Sequence, residues 1–160
     1  MIAADRIARE LVGAGVTHVV WLPDSLLGTW EPALQRAAGV TLVRVCREGE
    51  AWAIAAGLWI GGAQPVVVIQ NTGLFESGDS LRNALFDLGL PLYALIGYRS
   101  YLIEGSKDSA RRFTEPMLKA WGLDHVLVRD DEDLPRLTEH MQACGQAGLP
   151  GIALIAEGRG

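Results

Sequence analysis

Glu48 and Glu50 are the acids best placed for chemistry. They open the stretch Glu48–Gly62 (EGEAWAIAAGLWIGG), which is apolar nearly all round after its first turn and follows an apolar run. A carboxylate there is favoured by the amino-terminal end of a helix, yet it borders a dry surface that raises its proton affinity. Two readings stand. One is a first-turn acid that caps a buried helix; the other is a carboxylate held in an apolar wall to share a proton with a ligand. Residues two apart on a helix do not face the same way, so only one of the pair can meet such a ligand.

Three other short segments carry groups suited to binding. Asp24-Ser25 follows an apolar run and serves either as a helix-capping pair or as a substrate contact. Gln70-Asn71-Thr72-Gly73 offers amides and a hydroxyl, with a glycine past which another chain can pass closely; it also reads as a plain strand-to-helix turn. Arg99, Arg111 and Arg112 lie in or beside the aperiodic stretch 98–112 (YRSYLIEGSKDSARR). Guanidinium forks suit carboxylate, phosphonate and sulfonate oxygens, although loop arginines are often merely solvated.

Other chemistries lack their signatures. There is no Gly-x-Gly-x-x-Gly after a strand and no Gly-x-x-x-x-Gly-Lys-Ser/Thr. Gly78-Asp79 begins like a metal–diphosphate motif, but Ser80 follows and no suitably spaced Asn completes it, so Asp79 reads as a helix cap. His18, His125 and His140 are scattered and read as structural. No metal cluster is visible, so no metal ligand is expected from this chain.

The elements that must position these groups alternate between helical and strand periods. Helices are predicted over Ala4–Ala14, through Leu26–Leu34, over Glu48–Gly62, through Leu81–Leu88, over Glu115–Trp121 and over Asp131–Ala143. Strands are predicted over Val16–Leu22 (closed by Pro23), Val40–Cys46, Pro65–Gln70, Leu92–Gly97, His125–Val128 and Ile152–Ala156. Asp130–Asp133 read as cap and first-turn acids, and residues 98–112 as a long loop. Such alternation predicts an α/β fold: one three-layer domain, its sheet of about six parallel strands covered by helices on both faces. Ligands in such sheets bind outside the carboxyl ends of the strands, where all the segments singled out above fall.

Composition supports a folded domain. At 160 residues, with 49% hydrophobic and 21% charged residues, the chain can bury an ordinary core. A net charge of −5 argues against nucleic-acid or anionic-membrane binding. Cys46 and Cys144 cannot build a disulfide framework or a Cys-based zinc site, and fit a reducing compartment. No apolar run approaches the roughly 20 residues of a membrane span, and MIAADRIARELVGAG has no signal-peptide core. A cytoplasmic protein is expected.

Arg47–Gly57 (REGEAWAIAAG) resembles the segment that carries the glutamate of the pyrimidine-binding (PYR) domain in thiamine-diphosphate enzymes. The glutamate and the helix glycine nine residues later match Glu48 and Gly57. Leu22–Leu27 (LPDSLL), Gln70–Leu74 (QNTGL) and Gly97-Tyr98-Arg99 are similar to segments of the phosphonopyruvate and sulfopyruvate decarboxylase branch, in the same order and on the same elements. The match spans roughly residues 12 to 120.

This resemblance implies a PYR-type fold over residues 1–160. It implies that Glu48 is the catalytic acid, hydrogen-bonded to the pyrimidine nitrogen N1′ of thiamine diphosphate, with Gln70, Asn71, Thr72 and Gly73 also lining the cofactor. Asp24, Ser25, Arg99, Arg111 and Arg112 become candidates for contact with an anionic 3-substituted pyruvate. The phosphonopyruvate branch has an acidic-Pro-Gln-His-like stretch where this chain reads Asp108-Ser109-Ala110-Arg111-Arg112; the histidine is missing. No Gly-Asp-Gly…Asn element for Mg²⁺ and the diphosphate occurs before Gly160. The resemblance therefore implies a separate diphosphate-binding (PP) β subunit that holds most of the Mg²⁺ site, in an αβ hetero-oligomer with at least two copies of each chain. Trp52 and Trp59 belong either to that contact or to an ordinary core. A carboligase subunit, a non-catalytic α/β binding module and a purely structural PYR-type subunit are the competing readings.

Overall fold

A computed structural model describes residues 2–22 and 24–158. Pro23, read above as the stop of the first strand, lies outside the described residues. Six strands form one parallel sheet in the order β2-β1-β3-β4-β6-β5: β1 (His18–Trp21), β2 (Thr41–Arg44), β3 (Pro65–Gln70), β4 (Tyr93–Tyr98), β5 (His125–Val128) and β6 (Gly151–Ala156). The order reverses at β1, which pairs with β2 on one side and β3 on the other. A crevice at the carboxyl ends of β1 and β3 is the expected ligand position in such a sheet.

Among the described residues, seven α-helices cover the sheet. α1 (Ala4–Gly13), α2 (Glu31–Arg36) and α7 (Leu134–Ala147) lie on one face, where Ile7, Leu11, Leu34 and Leu137 meet Val19, Trp21, Val66 and Leu95. On the other lie α3 (Glu48–Ile60), α4 (Asn71–Glu76), α5 (Gly78–Arg82) and α6 (Ser109–Ala120). There Trp52, Leu74, Leu81 and Leu118 pack on Val20, Val67, Ile69 and Ile96. β3, β4 and β6 are buried on both faces, which explains why their sequences are continuous apolar runs rather than alternating ones. This is the three-layer α/β arrangement that the alternating pattern predicts.

Several boundaries differ from the expectation. Asn71-Thr72-Gly73 is not a turn; it is the first turn of α4, which follows β3 with no intervening residue. The loop after β4 is shorter than 98–112, because Tyr98 completes the strand and α6 starts at Ser109. Asp108 caps α6 by accepting a hydrogen bond from the Ala110 amide at 2.9 Å. Asp79 caps nothing, and its carboxylate instead pairs with Arg82 one turn on. The helix expected through Leu81–Leu88 is α5 followed by a π turn over Asn83–Asp87. Of the two tryptophans left open, Trp52 belongs to the core: it is fully buried, and its indole N–H donates to Ser77 Oγ at 3.0 Å. Trp59 is partly buried against the same core. No helix among the described residues is long and apolar enough to cross a membrane.

Candidate functional site at the carboxyl edge of the sheet

The amino end of α3 is held by acids other than Glu48. Glu50, the third residue of the helix, reaches back to accept from the Cys46 amide at 3.1 Å, one residue before the N-cap Arg47. Glu76, at the end of α4, accepts from the Gly49 amide at 2.9 Å and from Arg47 Nε at 3.0 Å. Arg47 and that amide hold the Glu76 carboxyl below its ordinary range. Glu48 itself makes no side-chain hydrogen bond among the described residues. Its side chain is half-buried and lies against Gly73, on α4. A Cβ on Gly73 would stand 2.7 Å from Glu48 Cδ and Oε1, inside van der Waals contact.

Across the topological switch, Asp24 and Gln70 are joined. Asp24 Oδ1 accepts from the Leu26 and Leu27 amides, each at 2.8 Å, and so caps a short 3₁₀ turn over Leu27–Trp30. Its Oδ2 accepts from Gln70 Nε2 at 3.0 Å. The Gln70 carbonyl in turn accepts from Thr72 Oγ1 at 3.0 Å. Asp24, Gln70 and Thr72 therefore form one polar string between the ends of β1 and β3. Ser25 is exposed beside it.

Asn71, expected beside the cofactor, is turned inward. It is fully buried, its amide N–H donates to Thr114 Oγ1 at 3.0 Å, and its Oδ1 has no partner. At the first position of α4 its side chain falls on the face that packs toward α6, so it fixes that contact rather than the rim of the crevice.

The arginines do not converge. Arg99 makes a two-pronged ion pair with Asp108, Nε to Oδ2 at 2.8 Å and Nη2 to Oδ1 at 3.1 Å. Arg99, with the Ala110 amide and Ser100, lowers the Asp108 carboxyl to about 2. Arg99 also lines an open cavity with Thr72, Phe75 and Phe113. Arg111 and Arg112 sit on α6, not in a loop. Arg111 Nη1 donates to the Ile103 carbonyl at 2.7 Å, and Arg112 stacks on Phe113 with its guanidinium carbon 4.4 Å from the ring centre. Both line a second cavity with Tyr98, Tyr101 and Lys107.

Glu157 went unnoticed in the sequence. It follows β6 directly, is 2% exposed, and neither carboxyl oxygen has a hydrogen-bond partner. Burial, reinforced by the nearby Asp24 carboxylate and only partly offset by Gln70 and Arg99, pushes it up to about 8. Its carboxyl lies against Gly97 of β4, where an added Cβ would also meet Leu27. Burial thus favours the protonated form of this acid, which lies at the same sheet edge as Asp24 and Gln70. An acid ending an otherwise apolar last strand (GIALIAE) was the only available signal.

Comparison with known proteins bears on the chain's relatives and its fold. No protein-family model matches the chain. It is 31% identical over 141 residues to a phosphonopyruvate decarboxylase of Streptomyces viridochromogenes, a match that covers 83% of this chain and 34% of that protein. It is 25% identical over 104 residues to a sulfopyruvate decarboxylase subunit alpha of Methanococcus maripaludis, covering 65% of this chain and 62% of that one. The chain thus spans about a third of the length of the first relative. Among solved structures, 2-oxoglutarate:ferredoxin oxidoreductase from Magnetococcus marinus superposes with a TM-score of 0.70 at 16% identity, over 98% of this chain and 29% of that one. That likeness establishes the fold. Through most of its length, the chain is a relative of the phosphonopyruvate and sulfopyruvate decarboxylases, and it shares the three-layer α/β fold of the matching part of that oxidoreductase.

Proposed function

We propose that the chain is the PYR-type subunit of a thiamine-diphosphate-dependent 2-oxoacid decarboxylase that acts on a pyruvate carrying a 3-sulfo or 3-phosphono group and yields CO₂ and an aldehyde. The observation that carries this reading is the half-buried Glu48 carboxylate, without a hydrogen bond among the described residues, beside the bare Cα of Gly73. Glu50 and Glu76 make the side-chain bonds to amides around this helix end, and the Glu48 side chain makes none of them.

The residues fit the pyrimidine end of thiamine diphosphate. Gly73 leaves room beside Glu48, and the Asp24–Gln70–Thr72 string presents polar groups at the same crevice. When bound, the cofactor supplies the electron sink that accepts the bonding pair as CO₂ leaves. Glu48 would hold a proton against the pyrimidine nitrogen N1′ through a charge-assisted hydrogen bond, which strengthens as water is excluded. Gln70 and Thr72 would orient the ring. Arg99 has two of its five N–H donors committed to Asp108, so three remain for a sulfonate or phosphonate.

No Gly-Asp-Gly…Asn sequence occurs in the chain. In this reading a PP-domain subunit of an αβ hetero-oligomer with at least two copies of each chain holds the diphosphate and Mg²⁺, and residues 1–160 supply the PYR-type domain. The subunit name of the Methanococcus relative supports division into chains. The free cysteines Cys46 and Cys144 suit the cytoplasm.

Reconstitution tests the proposal. The chain, a PP-domain subunit, thiamine diphosphate and Mg²⁺ together should release CO₂ from sulfopyruvate or phosphonopyruvate. Glu48→Gln should abolish release with an unchanged circular dichroism spectrum, while Glu50→Gln should retain it. Turnover by the chain alone overturns the divided enzyme, and turnover confined to pyruvate or aryl 2-oxoacids overturns the anionic substrate.

A further inference from the structure

At the opposite, amino-terminal edge of the sheet, three side chains of different chemistry meet. His140 and Cys144 stand one turn apart on α7, and Asp124 lies just before β5. His140 Nε2 is 3.7 Å from Cys144 Sγ and 3.4 Å from Asp124 Oδ2, and all three donor atoms lie within 4.8 Å of one another. We propose that Asp124, His140 and Cys144 form a binding site for a thiophilic divalent cation, Zn²⁺ being the best match.

The geometry supports this at several points. A tetrahedral zinc ion, with bonds of about 2.0 Å to nitrogen and oxygen and 2.3 Å to sulfur, places neighbouring donors roughly 3.3–3.7 Å apart. The two distances to His140 Nε2 fit that range. The ring is also oriented from behind: His140 Nδ1 is 2.6 Å from Tyr93 Oη. A hydrogen bond on the far nitrogen fixes tautomer and ring plane in the way metal-bound histidines require.

Room for the thiol depends on Gly151, the first residue of β6. A Cβ there would stand 2.6 Å from Cys144 Sγ and 2.7 Å from the Tyr93 ring. An adjoining cavity of about 320 Å³, lined by Tyr93, Met141 and Cys144, offers space on the thiol side. Cys144 is buried while the Asp124 side chain is 80% exposed, so an ion can enter from solvent and keep a water as fourth ligand. Binding would release the thiol proton to solvent. Nothing here depends on the decarboxylase reading, since the cluster lies across the sheet from Glu48.

Cobalt titration of the reduced, full-length chain tests the site. A thiolate-to-cobalt charge-transfer band with tetrahedral d–d absorption should saturate at one Co²⁺ per chain and be displaced by Zn²⁺. Cys144→Ser should lose the band and Cys46→Ser should keep it. Asp124→Asn, at an exposed position that leaves the fold intact, should weaken Zn²⁺ binding at least about ten-fold. Absence of the band in folded protein, or its persistence in Cys144→Ser, overturns the proposal.

Discussion

The carboxylate of Glu48 occupies the space that a side chain on Gly73 would take: a Cβ there would sit 2.7 Å from Glu48 Cδ. The two residues come from different helices, and α3 and α4 can bring their first turns together only because one contributes no side chain. Gly73→Ala should therefore push the carboxylate from its place. We expect a loss of about 1–3 kcal/mol of stability, the usual range for overpacking, and a fall in decarboxylation much larger than the stability loss explains. Urea unfolding and turnover of the reconstituted enzyme, measured on the same preparation, check both. Wild-type turnover in Gly73→Ala would show that this placement of Glu48 is immaterial.

Much of this architecture could be read from sequence because burial wrote it there. The continuous apolar runs PVVVIQ and LYALIG become doubly covered central strands, and the shift between two-residue and 3.6-residue periods locates most helices. Glu48 could be found because an acid opening an apolar helix is out of place. The resemblance favours it over Glu50 through the glycine nine residues on; the structure adds that Glu50 is bonded to the Cys46 amide and that Glu76 arrives from α4. Three features left little or no trace. Arg99 is neutralised by an acid nine residues away, Asn71 is turned toward Thr114 because a helix begins where a turn was expected, and Asp124 is joined to His140 and Cys144 only through the packing of α7 on β5.

Asn71 should act in folding rather than in cofactor binding. Its amide donates to buried Thr114, whose hydroxyl donates in turn to the Ala110 carbonyl at 2.7 Å. Asn71→Asp replaces that donor with a buried charge and should cost at least about 2 kcal/mol. In the protein that remains folded, thiamine-diphosphate affinity with the PP-domain subunit should stay within a factor of about three, because the side chain faces α6. Isothermal titration below the unfolding midpoint separates the two effects. Intact stability with lost affinity would return Asn71 to the site.

The pair of Arg99 and Asp108 makes a divided prediction. Asp108→Ala removes both an ion-pair partner and the cap of α6, and should cost about 1–2 kcal/mol. The Asp108 carboxyl is lowered from 3.8 to about 2, so its contribution to stability is complete above the ordinary carboxylate range and disappears as pH falls toward 2. Arg99→Ala should raise KM for sulfopyruvate or phosphonopyruvate by on the order of ten- to a hundred-fold, the loss of one forked oxyanion contact. It should leave KM for pyruvate nearly unchanged. Equal losses for charged and uncharged substrates would make Arg99 only the partner that anchors its loop.

Glu157 predicts a pH dependence of opposite sign. Its carboxyl rises from 4.5 to about 8 under burial and the neighbouring Asp24 charge. Between those values the folded chain binds a proton that the unfolded chain has released, so stability must fall as pH rises. The contribution is fully present below about 4.5 and gone above about 8. A shift of that size corresponds to at most roughly 5 kcal/mol across the window. Glu157→Gln keeps the shape and cannot ionise, so its stability should decline less steeply between pH 5 and 9. The difference between wild type and variant in urea midpoints cancels groups common to both and reports Glu157 alone. Parallel curves would mean that the carboxyl is already ionised in the folded protein, beside Asp24 and without the proton that its buried position requires.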